Sequence, residues 1–406
     1  MFKSLNFKVI LFGFIFTFFS SFGQSFFLGL FNPSIRETLS ITHGQFGSIY
    51  ASATLLSSFI LVWIGKKIDD VNLLRFTSCV ILLLAISCFL FSKISSIVFL
   101  FFSIFLLRLS GQGLMSHTAT TTISRYFERN RGKALSITWL GLSLAELILP
   151  LLIVFLLTII EWRNIWLSIS ILVILVLPLA SFFLVRNINL DSRENSNKKS
   201  KRIRKIKQWK RIEVLKDYRF YIICLNILAM PWIATGTFVY QSFISSSKDW
   251  GPYVIAQSFM AYSILSVVTL FFSGFLIDKF SGRKLLIYMN IPLIFSAFVL
   301  FYFSSPISSF FFLGLIGISN GLANVLGSAT WAEIYGVKHI GSIKALTTAL
   351  MVFSTAFGTA LFGLLIDINF SIEKIALVSG SYILITIILL FLIKNKLNPN
   401  YLQNSP

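Results

Sequence analysis

The chain has 406 residues, of which 56% are hydrophobic and 12% charged, with 44 Phe against 15 acidic residues and a mean hydropathy of +0.83. That balance excludes an ordinary water-soluble domain. Charge-poor runs of about 20 residues, the length needed to cross a bilayer as a helix, recur along the whole sequence. A membrane β-barrel would instead show segments of about 10 residues with in-out alternation, and that pattern is missing. A net charge of +20 raises the question of nucleic acid, but the distribution of the basic residues answers it differently, as set out below.

The first stretch, "MFKSLNFKVILFGFIFTFFS", has the basic start and apolar core of a signal peptide. The apolar run continues to about Phe31 and shows no small-x-small cleavage site, so we read an uncleaved first span. In chain order the expected spans of the first half are 8–31, 44–64, 73–93, 97–122, 133–157 and 163–185. Those of the second half are 218–245, 251–277, 284–303, 307–330, 341–366 and 373–394. This predicts an all-α membrane protein with twelve transmembrane helices: a six-helix half over 1–185, a basic linker over 186–217 and a second six-helix half with a short tail over 218–406.

Cytoplasmic loops retain Lys and Arg. With the N-terminus placed inside, only Arg36, Lys93, Arg163, Lys248 and Lys374 of the 35 Lys and Arg fall in outside loops, and Arg108 falls within a span. Both termini are therefore expected to be cytoplasmic. The linker run "NKKSKRIRKIKQWKR" fits the same rule as a solvated inside loop. Its sharper reading is a segment lying on anionic lipid, worth about 1 kcal/mol per basic residue near the surface. Topology accounts for the charge, so no nucleic-acid partner is expected. Cys79, Cys88 and Cys224 sit inside apolar runs, and His43, His117 and His339 are scattered. Neither set has metal-ligand spacing. No metal, no cofactor and no enzymatic constellation is expected.

Two charged loops repeat. "IGKKIDDVNLLRF" (64–76) and "SGFLIDKFSGRKLL" (273–286) each follow the second span of a half. Both run Gly, three residues, then Asp: Gly65 to Asp69 and Gly274 to Asp278. Basic residues follow, Arg75 in the first and Lys279, Arg283 and Lys284 in the second. A duplicated unit explains the recurrence.

This pattern resembles the major facilitator superfamily (MFS) of secondary transporters. The family's loop between helices 2 and 3 reads Gly-x-x-x-Asp-(Arg/Lys)-x-Gly-x-(Arg/Lys)-(Arg/Lys) and is echoed between helices 8 and 9. "WRNIW" (162–166) resembles the start of its sixth helix and "RYFERNRGKALSI" (125–137) that of its fifth. The first loop departs from the pattern at Asp70, Asn72 and Leu74. The second carries Ser281 and then Gly282, one residue late. The resemblance implies that these loops tie the two halves together on the cytoplasmic side. The second copy is expected to be the better formed, with Asp69→Asn costing less transport than Asp278→Asn.

An ionisable group inside the membrane is costly and is a functional-site hypothesis by default. Arg108 lies roughly 16 Å into span 4 at 1.5 Å per residue, within the polar stretch "RLSGQGLMSHTA". Its fork suits a carboxylate or phosphate, and its alternative is a structural ion pair. Glu146 sits at similar depth in span 5, where it could pair with Arg108 or serve as the coupling residue. Asn320 and Asn324 share one face of span 10, beside Gly314, Gly317 and Gly321, which permit close helix packing. The resemblance implies that spans 1, 4, 7 and 10 line a central cavity, so the candidate cavity residues are Gln24, Arg108, Gln112, Asn226, Asn320 and Asn324, with Trp232 and Tyr240 as weaker ones. Arg108 partly matches the family's Arg-x-x-x-Gly helix-four motif, with glycines at 111 and 113 instead.

The expected function is secondary active transport of a small, anionic organic solute by rocking of two halves about a midplane site. The alternatives are a proton-antiporting exporter of drugs or metabolites and, in a different class, a non-transporting membrane sensor. The expected partners are a small-molecule substrate, a proton or other coupling ion, and the lipid bilayer, with the monomer as the working unit. Residue usage rich in Lys, Ile, Asn and Phe points to a bacterial inner (plasma) membrane, with the protein multi-pass.

Overall fold

A computed structural model describes residues 7–127, 131–186, 207–336 and 338–398. Among these the regular structure is entirely helical. Twelve helices are long and apolar enough to cross a membrane. In the first half they are Phe7–Gly29, His43–Lys66, Leu73–Ser92, Ile97–Tyr126, Gly132–Leu156 and Trp162–Val185. In the second they are Tyr218–Val239, Pro252–Ile277, Gly282–Tyr302, Pro306–Tyr335, Ile343–Asp367 and Ile372–Leu397. We call them spans 1 to 12. The end of the bundle that carries Phe7 and Leu397 is called proximal, and the opposite end distal.

Local chemistry sets these boundaries. The first four N–H groups of a helix need partners from outside it. Thr42 supplies one for span 2 through a capping box with Gln45. Ser96, Asp217 and Ser371 do the same for spans 4, 7 and 12. Pro252 and Pro306 open spans 8 and 10, where a missing N–H costs nothing. The largest departure from expectation is span 7, which stops at Val239 because Tyr240 leaves helical geometry at φ −107° and ψ 22°. A separate short helix, Gln241–Ser247, follows.

Lipid is as apolar as leucine, so nothing hydrophobic drives one helix onto another inside the bilayer. Close backbone approach and interhelical hydrogen bonds, averaging about 0.6 kcal/mol each, do that work instead. Spans 8 and 10 pack most extensively, and the expected glycine stripe makes that possible. A Cβ at Gly317 would land on the Tyr262 carbonyl, and one at Gly321 within 2.6 Å of the Ser266 carbonyl. Large side chains such as Trp63, Phe183, Phe275 and Leu392 face outward, as lipid contact requires.

Buried aromatic residues mark both ends of the bundle. Near the distal end Trp166 is fully buried against Phe27, Phe31 and Phe91. Arg163 of the "WRNIW" stretch lies over Trp162 and donates to the Ile94 carbonyl at 2.9 Å. At the proximal end of the second half, Arg219 and Asp217 form a buried ion pair at 2.8 Å, and the Tyr335 hydroxyl donates to the same carboxylate at 3.1 Å. The end of the linker docks here: the Trp209 N–H donates to the Tyr335 carbonyl at 3.0 Å. The basic run of the linker up to Ile206, read as a lipid-surface segment, lies outside the described residues.

Spans 2 and 11 and spans 5 and 8 make the long contacts between the halves. Among the described residues the side-chain hydrogen bonds between the halves gather in the distal part and the middle. Asn32 Nδ2 donates to the Val239 carbonyl at 2.7 Å, Gln241 Nε2 to that of Phe26 at 2.8 Å and Tyr240 Oη to that of His43 at 2.9 Å. Deeper in the bundle, Ser263 Oγ donates to the Ser143 carbonyl at 2.6 Å.

Candidate transport site

Two irregular stretches meet at mid-bundle. Span 1 tightens into a 3-10 turn over Ser20–Gly23, and Gln24 is then extended at φ −85° and ψ 154°. Span 4 widens into a π-helix over Arg108–Met115, a form that appears mostly in short pieces and often at functional sites. Glycine permits their contact: a Cβ on Gly111 would sit 2.7 Å from the Gly23 backbone nitrogen.

The break in span 1 leaves backbone acceptors without helical partners, and Arg108 supplies a donor. Its Nη1 donates to the Gly23 carbonyl at 3.0 Å and to Ser25 Oγ at 3.4 Å, and its guanidinium lies 5.2 Å from the Tyr50 ring centroid. Tyr50 in turn donates to Ser25 Oγ at 3.1 Å. Arg108 is only 2% exposed, and its Nε is buried without a partner. Gln24 and Gln112 stand half-buried beside it, since the Gln112 nitrogen would contact a Cβ at Gly23.

Glu146 sits elsewhere. It is buried in span 5 where that helix meets span 8, one turn from the Ser143–Ser263 bond. Among the described residues Glu146 has no hydrogen-bond or ion-pair partner, and it does not pair with Arg108. Arg108 turns toward spans 1 and 2, whereas Glu146 turns toward span 8.

The amides divide similarly. Asn320 Nδ2 donates to Ser266 Oγ on span 8 at 2.9 Å, and Asn324, one turn away, is exposed. Asn226 points into the second half. It is fully buried, its Nδ2 donates to Thr386 Oγ1 at 3.3 Å, and its carbonyl accepts from Asn290. Gln24, Arg108 and Gln112 thus form one group and Asn320 and Asn324 a second. Asn226 stands apart from both. Trp232 packs on Phe357, Phe362 and Tyr382.

A sequence model of the Major Facilitator Superfamily matches residues 13–245 and again 222–404. The chain belongs to this superfamily. Among solved structures it resembles a bacterial homologue of the human lysosomal transporter Spinster, in an inward-facing and occupied conformation. That match has a TM-score of 0.72 and 14% identity over 97% of this chain and 98% of that one. It also resembles the nucleoside transporter NupG, with a TM-score of 0.71 and 14% identity over 95% of this chain and 98% of that one. At that identity the likeness speaks for the fold. Among proteins of curated function, none matches the sequence.

The superfamily's signature loops can be placed on this frame. In the first, the Gly65 carbonyl contacts His117 Nε2 at 3.0 Å, and Arg125 Nη1 reaches the Ile68 carbonyl at 3.5 Å. Asn72, standing where the superfamily has Gly, caps span 3 by accepting from the N–H groups of Leu74 and Arg75. Arg75 itself is exposed. In the second loop the Glu333 carboxylate at the end of span 10 accepts from the Gly282 and Arg283 N–H groups at 2.7 and 3.1 Å. Arg283 Nη1 donates to Asn398 Oδ1 at 2.7 Å, and Lys279 and Lys284 are exposed. These contacts all stay within one half. A Cβ at Gly274 would meet nothing within 4 Å, so this conformation makes no demand for glycine there. The side chains of Asp69 and Asp278 lie outside what the structure describes.

Sequence reasoning missed the distal contacts. Asp367 at the end of span 11 meets the start of span 2, and Tyr240 bridges His43 and Thr359. Arg36, nearby on the short helix Asn32–Leu39, donates to Asn32 Oδ1 at 2.9 Å. Burial pushes its guanidinium below the ordinary value, with Tyr240 and Asp367 opposing the shift. The only sequence signal for this cluster is a charge at each span end, with no indication of which ends meet.

Proposed function

We propose that this protein is a secondary active transporter that moves a small organic solute by alternating access and couples that movement to a proton on Glu146. The observation that carries the reading is the position of Glu146: a carboxyl buried in the span 5–span 8 seam between the halves, with no ion-pair partner among the described residues. Such a group gains solvent or loses it as the seam opens and closes, so its protonation is tied to the conformational cycle. The Lys and Arg bias supports placing the proximal end in the cytoplasm of a bacterial cell. The cross-half bonds gathered toward the distal end then correspond to an inward-facing state, the conformation described for the Spinster homologue. The contacts described for the signature loops, Gly65–His117 in the first and Glu333–Gly282 in the second, lie within one half each and fit that state, since a tie across the cytoplasmic side belongs to the opposite one. Each chain contains both halves and acts as a monomer.

The anionic-solute reading rests on Arg108. Its Nη1 is held by Gly23 and Ser25, while its Nε is buried without a partner, so the guanidinium keeps a donor that a solute carboxylate could engage. The specific observation of an unpaired acid favours proton-coupled transport, and the unengaged Nε of Arg108 is compatible with an anionic solute.

The test begins with a thermal-stabilisation screen of small organic solutes on the purified protein. The flux of a stabilising solute is then followed in proteoliposomes with and without a pH gradient. Wild-type flux should respond to the gradient, and Glu146→Gln should abolish the response while still exchanging solute across the membrane. If Glu146→Gln keeps both the flux and its pH dependence, Glu146 is not the coupling group.

A further inference from the structure

The distal closure has a specific fastener. Span 2 begins at His43, and its first N–H groups point out of the helix without partners of their own. Thr42 takes care of the Gln45 N–H through the capping box. The N–H groups of His43 and Gly44 are satisfied from the other half: they donate to Asp367 Oδ1 at 3.0 Å and Oδ2 at 2.8 Å. Thr42 Oγ1 adds a third bond to Oδ2 at 2.6 Å. A carboxylate accepting from a helix N-terminus gains both the charge-assisted bonds and the favourable end of the helix dipole.

We propose that Asp367 is the positioning residue that holds the distal gate shut, by capping span 2 from the opposite half, and that its release is a required step of the transport cycle. The surroundings are shaped for it. A Cβ at Gly44 would lie 2.5 Å from Asp367 Oδ2, and one at Gly47 would land on the Thr359 carbonyl and the Tyr240 hydroxyl. Glycine at these two positions lets span 2 approach close enough for a short carboxylate to reach its end. Asp367 is exposed and the N–H groups it binds lie at a helix tip. Water can therefore take over both sides when the halves part, so the contact closes without trapping the protein. An amide at 367 would offer one acceptor oxygen where three donors converge, and its own N–H₂ would face the positive end of the helix.

This inference rests on the alternating-access reading, and the two are tested by different measurements. For the fastener, a single cysteine is placed at Ala51, one turn below Gly47 on the same helix face and buried. The native Cys79, Cys88 and Cys224 are replaced by Ala. The rate of its modification by a polar maleimide is then measured in nanodiscs. Asp367→Asn and Asp367→Ser should each raise the rate several-fold over the Asp367 background. Asp367→Glu, which keeps the carboxylate, should bring it back toward that background. Equal rates with and without the carboxylate, or Asp367→Glu as fast as Asp367→Asn, would overturn the proposal.

Discussion

Arg108 shows how much of a residue's meaning lies in what it touches. From sequence it is a lone cation at mid-membrane, and a cost of several kcal/mol for such a group makes a ligand role attractive. In the structure the cost is met locally, by the carbonyl that the break in span 1 exposes, by Ser25 and by the face of Tyr50. Ser281 carries a second lesson. It stands where the superfamily's loop has Gly, and its φ is 71° with ψ 145°, a region that L side chains avoid because of Cβ crowding. The backbone has kept a glycine geometry after the glycine moved one residue on, and the Ser281 hydroxyl is buried without a partner. Ser281→Gly should therefore stabilise the protein by about 1 kcal/mol, raising the Tm of the purified protein in a thermal-shift assay. An unchanged or lower Tm would mean that the loop carries no strain there.

Among the elements, the helices were legible and their irregularities were not. Each expected span is present within a few residues of its structural bounds because length and apolarity decide it. The breaks that position the candidate site follow from tertiary contact instead. Gly23 and Gly111 lie 88 residues apart in sequence, and the structure sets the tightened turn of span 1 against the widened stretch of span 4 there. The glycine stripe of span 10 could be read from spacing, and the structure ranks its members. A Cβ at Gly317 runs into the Tyr262 backbone, whereas at Gly314 the nearest atom is the tip of the flexible Leu265 side chain at 2.9 Å. Gly317→Ala should accordingly cost about 1–3 kcal/mol, as overpacking does, and Gly314→Ala markedly less. Urea or heat unfolding monitored by intrinsic Trp fluorescence in detergent would compare them, and equal losses would contradict the ranking.

At the scale of the whole molecule, the twelve spans and the superfamily were readable from apolar run lengths and one repeated loop. The conformation was not, because on the proposed cycle one sequence would carry the contacts of two states. The signature loops belong to the proximal side, while the closed seam lies on the distal side and is built from residues as far apart as Thr42 and Asp367. In the proposed cycle Glu146 in the seam is where the two levels meet, since rocking of the halves would change its access to water. The central claim is that the halves rock in opposition at the two ends. Electron–electron spin resonance distances test it most directly, with labels in a cysteine-free chain at the exposed distal pair Ser95 and Ser305 and at the exposed proximal pair Val71 and Phe280. Without solute the distal pair should be near and the proximal pair far. As solute and pH are varied, a farther distal population should appear in step with a nearer proximal one. Distances that stay fixed at both ends under every condition, or that lengthen together, would contradict the account.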